Sequence, residues 1–417
     1  MNKSTYLNYN RNKKSEYLAY SLLTFISPLI GIVLICSYYL NNMNRRNYII
    51  NDKYMTIPLA LIFATFGYCM TFRYGYENDL TRYFEQLQDF RSQDSLYQIL
   101  KDDQTMLYVR DILFYFVSKS NDFHILSYIV GFGIYAIVLY ISYDILLKTT
   151  IKLSYKDIIK ILIITTCFTS PFSVIGNTRC VFAFVLMSFA IYRETVQNKR
   201  NITTVLLYIL PLGLHIAAFS ILFARVFQYM SKHVGIHSFI FLAIFFPFVV
   251  DFIYELHLDG ILGAFIDKAY YYLHWTEGGF ADDVDVSIWY KIERTSCIIM
   301  LSLFVLFLLI LNKKQKNQIM EYSMTRFLVC IASFAVASLF IKTGSLWRYV
   351  ALFVFFCPYI IVRLFELEFT KTRYFLNVVF LLSIVYIILN AIKMYMALDP
   401  LESFINYCSF CGLNILF

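Results

Sequence analysis

The chain has 417 residues, of which 59% are hydrophobic, 19% are aromatic and only 15% are charged. An ordinary soluble domain carries about 25% charged residues, so this composition indicates an integral membrane protein. The formal net charge of +8 is modest, and the basic residues lie mostly in short loops between apolar runs, which argues against nucleic-acid binding. We therefore expect the lipid bilayer, and no nucleic acid, among the partners of the chain.

Apolar runs of spanning length recur along the sequence, so residues 1–417 are predicted to form a single integral membrane domain. The first run follows several basic residues but is too long for a signal-peptide core, and we interpret it as one retained helix. The predicted spans are Tyr17–Leu40, Tyr54–Phe72, Phe123–Leu147, Ile158–Val174, Thr178–Tyr192, Thr203–Phe227, Phe239–Tyr254, Tyr290–Leu311, Met324–Ile341, Trp347–Arg363 and Tyr374–Met396. The predicted fold is all-α, a polytopic transmembrane helical bundle of about 11–12 spans.

Two polar stretches, residues 73–122 and 255–289, are too long to be simple turns and are rich in Asp, Glu and Tyr. Each contains a shorter apolar piece, Met106–Val117 and Leu262–Leu273, of the length of a re-entrant or interfacial helix. Basic residues stay on the cytoplasmic side in short loops. Applied to the basic clusters, this rule predicts that both long loops lie on the outer face of the membrane.

The same rule constrains two other segments. If Arg45 and Arg46 are inside, a single first helix places the basic N-terminus outside, so either one cluster breaks the rule or an extra pass exists. The run Thr203–Phe227 must return to the side where it began. Two half-length helices meeting at the Pro-x-Gly-x-His of "ILPLGLHIAAF" satisfy that requirement, because proline and glycine break helices, and they place His215 near the outer face.

Two arginines stand at predicted outer helix ends, Arg179 after "GNT" and Arg348 after "GSLW". An arginine in this position faces a cavity or a partner, or it extends to the lipid headgroups, and the sequence leaves both open. His215 is flanked by apolar residues. It is either a hydrogen-bonded core histidine or a proton acceptor or donor in a site.

The first long loop opens with "FRYGYENDLTRYFEQL", which mixes both charge signs with aromatic residues. This pattern fits either a solvated helix start or a sugar-binding groove, in which carboxylates bind hydroxyls and rings stack on sugar faces. The candidate residues are Arg73, Glu77, Asp79, Arg82 and Tyr83.

No metal site and no cofactor are predicted. The remaining histidines lack the pair spacing of a zinc site, and Cys408 and Cys411 form a lone C-x-x-C that favours a disulfide or plain packing. If the topology holds, Arg179, His215, Arg348 and the Arg73/Asp79 segment share the outer side. Two arginines and a histidine suit a diphosphate, because guanidinium groups bind phosphate oxygens in a bidentate fashion.

These motifs, in this order, resemble the EpsG-like branch of the Wzy-type polysaccharide polymerases. The matching pieces are the loop opening with Arg73, Asp79 and Tyr83, the helix that begins with Arg179, the apolar run with His215, and the pair Arg348 and Tyr349. The position after the helix-opening arginine, often glutamine in this family, is Cys180 here.

The resemblance implies a metal-independent glycosyltransferase in the cytoplasmic membrane that polymerises polyprenyl-diphosphate-linked oligosaccharide repeat units for capsule, exopolysaccharide or O-antigen. Arg179 and Arg348 would hold the departing diphosphate, and His215 or Asp79 would accept the proton of the acceptor hydroxyl. Arg73, Glu77, Arg82, Tyr83 and Tyr349 would bind the lipid-linked donor or acceptor. The sequence leaves open whether a chain-length regulator docks here.

Two other functions fit parts of the sequence. A flippase or other transporter shares the hydropathy, but transporters more often carry repeated halves with broken helices at matching positions, and no repeat is visible. A membrane acyltransferase would need a histidine-carboxylate pair in a buried tunnel, for which only the isolated His215 is available.

Overall fold

A computed structural model describes residues 3–43, 53–74, 79–93, 95–102, 107–149, 153–167, 171–230, 248–258, 298–304, 313–340, 346–367 and 371–415, with the isolated positions 260, 263, 266, 267, 270, 295 and 311. Within these residues the regular structure is helical, apart from one isolated bridge between Phe72 and Leu398. The prediction of an all-α fold is confirmed for this part of the chain.

The main helices are α1 (Lys3–Ile26), α2 (Pro28–Met43), α3 (Thr56–Tyr68), α4 (Asp79–Arg91), α5 (Leu96–Asp102), α6 (Tyr108–Ser118), α7 (Ile125–Lys148), α8 (Tyr155–Cys167) and α9 (Pro171–Gly176). They continue with α10 (Thr178–Thr195), α11 (Ile202–Leu214), α12 (Ala218–Met230), α13 (Lys313–Glu321), α14 (Ser323–Phe340), α15 (Leu346–Glu366), α16 (Thr372–Ala397) and α17 (Pro400–Ser409).

Three helices of the described residues are long and apolar enough to cross a membrane: α7, α16, and α15 from Arg348 to Glu366. In α16, the apolar residues Leu381, Val385 and Ile388 are exposed. They are spaced at four and three residues, so they form one stripe of the helix. An exposed apolar stripe on a helix of this length fits a lipid environment.

The chain forms two compact units. The first comprises Met1–Arg91, Phe116–Thr178 and Phe380–Phe417, and the second comprises Ser92–Tyr115 and Arg179–Val379.

In the first unit, α3 packs against α7. The rings of Phe63 and Tyr135 stack with centroids 4.0 Å apart. A Cβ at Gly131 would lie 3.4 Å from the Cα of Ala64, so the glycine permits close approach of the two backbones. Helix α3 has 13 residues, which is shorter than the predicted span Tyr54–Phe72.

The prediction of one helix over Tyr17–Leu40 is wrong. The chain breaks at Ser27 into α1 and α2, because Pro28 lacks an N–H group and disfavours helical backbone in the residue before it. The two helices fold back on each other, with the hydroxyl oxygens of Tyr17 and Tyr38 3.0 Å apart. In this hairpin the start of α1 and the end of α2 lie at the same end of the helix pair, whereas Arg45 and Arg46 lie outside the described residues.

The prediction of two half-length helices between Thr203 and Phe227 is confirmed in the second unit. Helices α11 and α12 have 13 residues each and are separated by residues 215–217. Pro211 lies inside α11, and the N–H group of His215 donates to its carbonyl at 3.1 Å. Helix α12 packs against α14, and α14 packs against α15.

Of the two long loops, the structure describes most of the first and little of the second, so their position outside the membrane stays a prediction. The piece Met106–Val117 is represented by α6, and α4 and α5 precede it in the first loop. The piece Leu262–Leu273 and most of 255–289 lie outside the described residues. The span Ile158–Val174 is represented by α8 and α9, while most of Phe239–Tyr254 and Tyr290–Leu311 lies outside the description.

Candidate functional site

The second unit contains two arginines in the first turns of two helices, and one of them contacts the residue next to the other. Arg179 is the second residue of α10, and Arg348 is the third residue of α15. The Nη1 atom of Arg348 lies 3.9 Å from the Sγ atom of Cys180, the residue that follows Arg179. Both arginines are half-buried. The N-terminal turn of a helix carries a partial positive charge, so this arrangement concentrates positive potential at one place.

The guanidinium of Arg179 also has an aromatic neighbour. Its Cζ atom lies 5.9 Å from the ring centroid of Phe114 in α6, and the Phe114 side chain is fully buried. A buried ring below a guanidinium limits its rotation and attracts its charge. The local structure therefore positions Arg179 against protein rather than leaving it only to the lipid headgroups.

His215 lies in the break between α11 and α12, in extended backbone with φ −155° and ψ 128°. Its Nδ1 accepts a hydrogen bond from the backbone N–H of Ala217 at 3.1 Å. A neutral imidazole has one acceptor nitrogen and one donor nitrogen. Because Nδ1 is the acceptor, Nε2 carries the proton, and neutral His215 offers a hydrogen-bond donor to a ligand.

Tyr349 joins the arginine pair to the break that holds His215. Its ring packs between Phe184 of α10, with centroids 5.5 Å apart, and Phe334 of α14, at 6.1 Å. It shares a hydrogen bond with Ser220 in the first turn of α12. The Ser220 hydroxyl donates to the carbonyl of Ala217 at 2.7 Å. Helices α10, α12 and α15 thus meet around this tyrosine.

The candidates from the first loop belong to the first unit. Arg73 caps the C-terminus of α16: Nη2 donates to the Tyr395 carbonyl at 2.8 Å and Nε to the Leu398 carbonyl at 2.9 Å. Its Cζ atom lies 5.4 Å from the ring centroid of Tyr395. These contacts give Arg73 a structural role, since cations stabilise helix C-termini. Its role in substrate binding stays a prediction.

Asp79 begins α4, with Arg82 and Tyr83 in the following turn. An acidic side chain in the first turn stabilises a helix, and the Tyr83 side chain is buried. Glu77 lies outside the described residues. The structure therefore groups Arg179, His215, Arg348 and Tyr349 in the second unit, and Arg73, Asp79, Arg82 and Tyr83 in the first.

Some charged groups inside apolar runs were not singled out by the sequence analysis, among them Lys393 and Arg225. Lys393, in α16, donates to the Ser173 hydroxyl at 3.3 Å, with its Nζ atom 5.9 Å from the ring centroid of Phe172. Arg225, in α12, forms an ion pair with Glu194 at 3.0 Å. In each case the signal was available, because a lone charge in an apolar run of spanning length needs a partner.

Glu194 is the centre of a polar network at the end of α10. Its Oε2 atom accepts hydrogen bonds from the Tyr208 hydroxyl at 2.7 Å and from Nε of Arg225 at 3.3 Å. Arg225 also donates to Gln228, which in turn donates to the Ser323 hydroxyl at 2.7 Å. Burial alone raises the pKa of the Glu194 carboxyl, but these hydrogen bonds and the arginine charges outweigh it and lower the pKa below its ordinary value.

Within the described part of the chain, no group of three or more His, Cys, Asp and Glu side chains is placed to hold a metal ion. Cys408 and Cys411 are free thiols, so the disulfide alternative is not formed. Comparison with protein-family models, curated proteins and solved structures finds no match.

Proposed function

We propose that the chain is a multi-pass glycosyltransferase of the cytoplasmic membrane that polymerises polyprenyl-diphosphate-linked oligosaccharide repeat units at the outer face. This proposal includes a bundle of about 11–12 spans and the Wzy-type resemblance described above.

One observation supports the proposal: Arg179 and Arg348 stand in the first turns of α10 and α15, and Arg348 contacts Cys180, the residue that follows Arg179. Helix N-termini bind anions because their backbone N–H groups have no partner within the helix. Two guanidinium groups add planar donors that match phosphate oxygens. A group with two linked phosphates suits this paired arrangement better than a single carboxylate.

In the proposed reaction, an acceptor sugar hydroxyl attacks the anomeric carbon of the donor, and the bond from that carbon to the diphosphate oxygen breaks. Arg179 and Arg348 stabilise the negative charge that develops on the departing polyprenyl diphosphate. His215 donates from Nε2 to a diphosphate oxygen, as its tautomer allows. Tyr349 holds the two arginine-bearing helices in register with the His215 break.

The direct test uses the purified full-length chain in lipid vesicles. It is supplied with a single lipid-linked repeat unit, and the products are separated by size. We expect a ladder of products that differ by one repeat, with release of polyprenyl diphosphate for each bond formed. If the repeat units stay single in the presence of correctly inserted protein, the proposal is wrong.

A transporter remains the second candidate, because the break between α11 and α12 is the kind of interrupted helix that lines transport sites. The same vesicles distinguish the two functions. A flippase moves the lipid-linked unit between leaflets without changing its size, whereas a polymerase changes its size.

A further inference from the structure

Helix α6 is held at its first turn against the end of α11. A Cβ placed on Gly213 would lie 2.7 Å from Cγ2 and 3.3 Å from the backbone nitrogen of Val109. Only a residue without a side chain allows this approach. Gly213 is two residues from His215, so the contact fixes the start of α6 next to the break that holds the histidine.

The opposite side of α6 carries Asp111 and Phe114. In an α-helix, residues three apart lie about 60° apart around the axis, whereas residues two apart lie on nearly opposite sides. Val109 therefore faces α11, while Asp111 shares the face of Phe114. Because the Phe114 ring lies 5.9 Å from the Cζ atom of Arg179, this face is turned toward the arginine.

Asp111 is a buried carboxylate on this face, with only 1% of its side chain exposed. Its Oδ1 atom accepts from both Nε and Nη2 of Arg110 at 2.6 Å. Burying a carboxylate is costly unless it is paired and hydrogen-bonded. A carboxylate with only a structural role in a loop helix could have stayed exposed to solvent, so the burial of Asp111 suggests another role.

We infer that Asp111 is the carboxylate that accepts the proton of the acceptor hydroxyl, an inference that rests on the proposed function. Asp79, the carboxylate expected from the resemblance, belongs to the first unit, whereas Asp111 belongs to the unit that contains Arg179, His215 and Arg348. In neutral His215 the Nε2 atom already carries a proton, so it has no lone pair with which to accept the proton of the hydroxyl.

The step balances without a further reactant. The hydroxyl oxygen forms a bond to the anomeric carbon as that carbon releases the diphosphate oxygen with its electron pair. The hydroxyl proton passes to the Asp111 carboxylate, and the polyprenyl diphosphate leaves as an anion. Before the transfer, the guanidinium of Arg110 donates to the carboxylate and balances its charge.

The test compares Asp111→Asn, Asp111→Glu and Asp111→Ala in the full-length protein in vesicles, with Asp144→Asn as the matched control. Asp144 is also a paired aspartate, 2.7 Å from Lys148 in α7. We expect Asp111→Asn to lose about a hundredfold or more in rate, the usual worth of a general base. Asp111→Glu keeps more activity, and binding of the lipid-linked donor is unchanged in all variants.

Sodium formate supplies the measurement that a purely structural role would not affect. We expect added formate to restore part of the rate of Asp111→Ala in a concentration-dependent way, because it returns a carboxylate to the site. If Asp111→Asn polymerises at the wild-type rate, or formate restores nothing to an inserted and donor-binding Asp111→Ala protein, the inference is wrong. If the wild-type protein itself forms no ladder, the proposed function fails and the inference fails with it.

Gly213→Ala provides a second test that leaves Asp111 intact. The added methyl group pushes Val109 and the start of α6 away, so the rate falls. Val109→Ala in the same chain removes the Cγ2 atom that is 2.7 Å away and restores part of the rate. A Gly213→Ala protein with full activity would contradict the positioning of Asp111 by this contact.

Discussion

The Nη1 atom of Arg348 lies 3.9 Å from the Sγ atom of Cys180, although the two residues are 168 positions apart in the chain. A thiol is a weak acceptor, so it holds the guanidinium less firmly than a carboxylate would. The contact with Cys180 therefore holds Arg348 at the first turn of α10 without neutralising its positive charge.

Replacing either arginine by lysine should sharply reduce polymerisation. Lysine keeps the charge and the reach to the headgroups but loses the planar pair of donors. By analogy with the removal of an oxyanion-hole donor, we expect a loss of about 2.7–4 kcal/mol, or roughly a hundredfold or more in rate. Product ladders from Arg179→Lys and Arg348→Lys proteins, normalised to the protein level on a blot, measure this loss.

Arg200→Lys is the matched control, since the Arg200 side chain is 77% exposed and lies 4.0 Å from Glu194. Its ladders should equal those of the wild type. Normal ladders from both Arg179→Lys and Arg348→Lys would contradict diphosphate binding by these residues and support a role in anchoring at the membrane boundary.

Replacing His215 by glutamine should preserve more activity than replacing it by asparagine. The glutamine amide reaches the position of Nε2, whereas the asparagine amide reaches only that of Nδ1. Because Nδ1 accepts from Ala217, the donor that faces a ligand is Nε2. Initial rates of ladder formation measure the difference, and equal or reversed rates would show that the ligand-side donor is not Nε2.

Glu194→Gln should destabilise the folded protein at neutral pH. Hydrogen bonds to a charged group contribute about 1.5–3 kcal/mol to stability, and the Glu194 side chain is only 23% exposed. Because the folded-state pKa of Glu194 is lowered, its contribution is complete above the unfolded pKa of about 4.3 and is lost as the pH falls through the folded pKa.

The thermal midpoints of wild-type and Glu194→Gln proteins in detergent should therefore differ by a constant amount between pH 7 and 5 and converge at lower pH. Glu85→Gln, at an exposed position in the middle of α4, should show no such difference. If the difference between the thermal midpoints of the wild-type and Glu194→Gln proteins grows as the pH falls, the pKa of Glu194 is not lowered in the folded protein.

In the proposed multi-pass topology, the hairpin of α1 and α2 has both of its ends on the same side of the membrane. In a variant without native cysteines, Ser4→Cys and Asn42→Cys should react alike with a membrane-impermeant maleimide, both before and after permeabilisation. The expectation follows from the contact between the buried hydroxyls of Tyr17 and Tyr38. Labelling of the two positions from opposite sides would contradict the hairpin and support a single spanning helix.

Local chemistry accounts for the parts of the fold that could be predicted from the sequence. Pro211 and the following glycine and histidine marked the end of α11 because backbone geometry alone breaks a helix there. The same reasoning applies to Pro28, but the helix break there was not predicted because a long apolar run continues on both sides of it. Hydropathy reports whether the side chains of a segment favour an apolar environment. It does not detect a reversal of chain direction within the segment.

The candidate site was predictable only in part. Arg179, Arg348 and His215 stand out as polar residues in apolar surroundings, and they do belong to one unit. Asp111 was not predicted because it lies in a short apolar piece of a polar loop. The neighbouring Arg110 also makes the pair resemble two solvent-exposed charges. The burial of Asp111 depends on tertiary packing, which no local sequence pattern reveals.

The cap that Arg73 forms on α16 has a consequence for biosynthesis. Its Nε atom donates to the carbonyl of Leu398, 325 positions later in the chain. At a synthesis rate of about 5–20 residues per second, the ribosome needs roughly 16 to 65 s to make that segment. Until then, the first unit lacks its last long helix and Arg73 lacks these carbonyl groups. The N-terminal helices of the first unit are therefore incompletely packed until the residues that contact Arg73 have been synthesised.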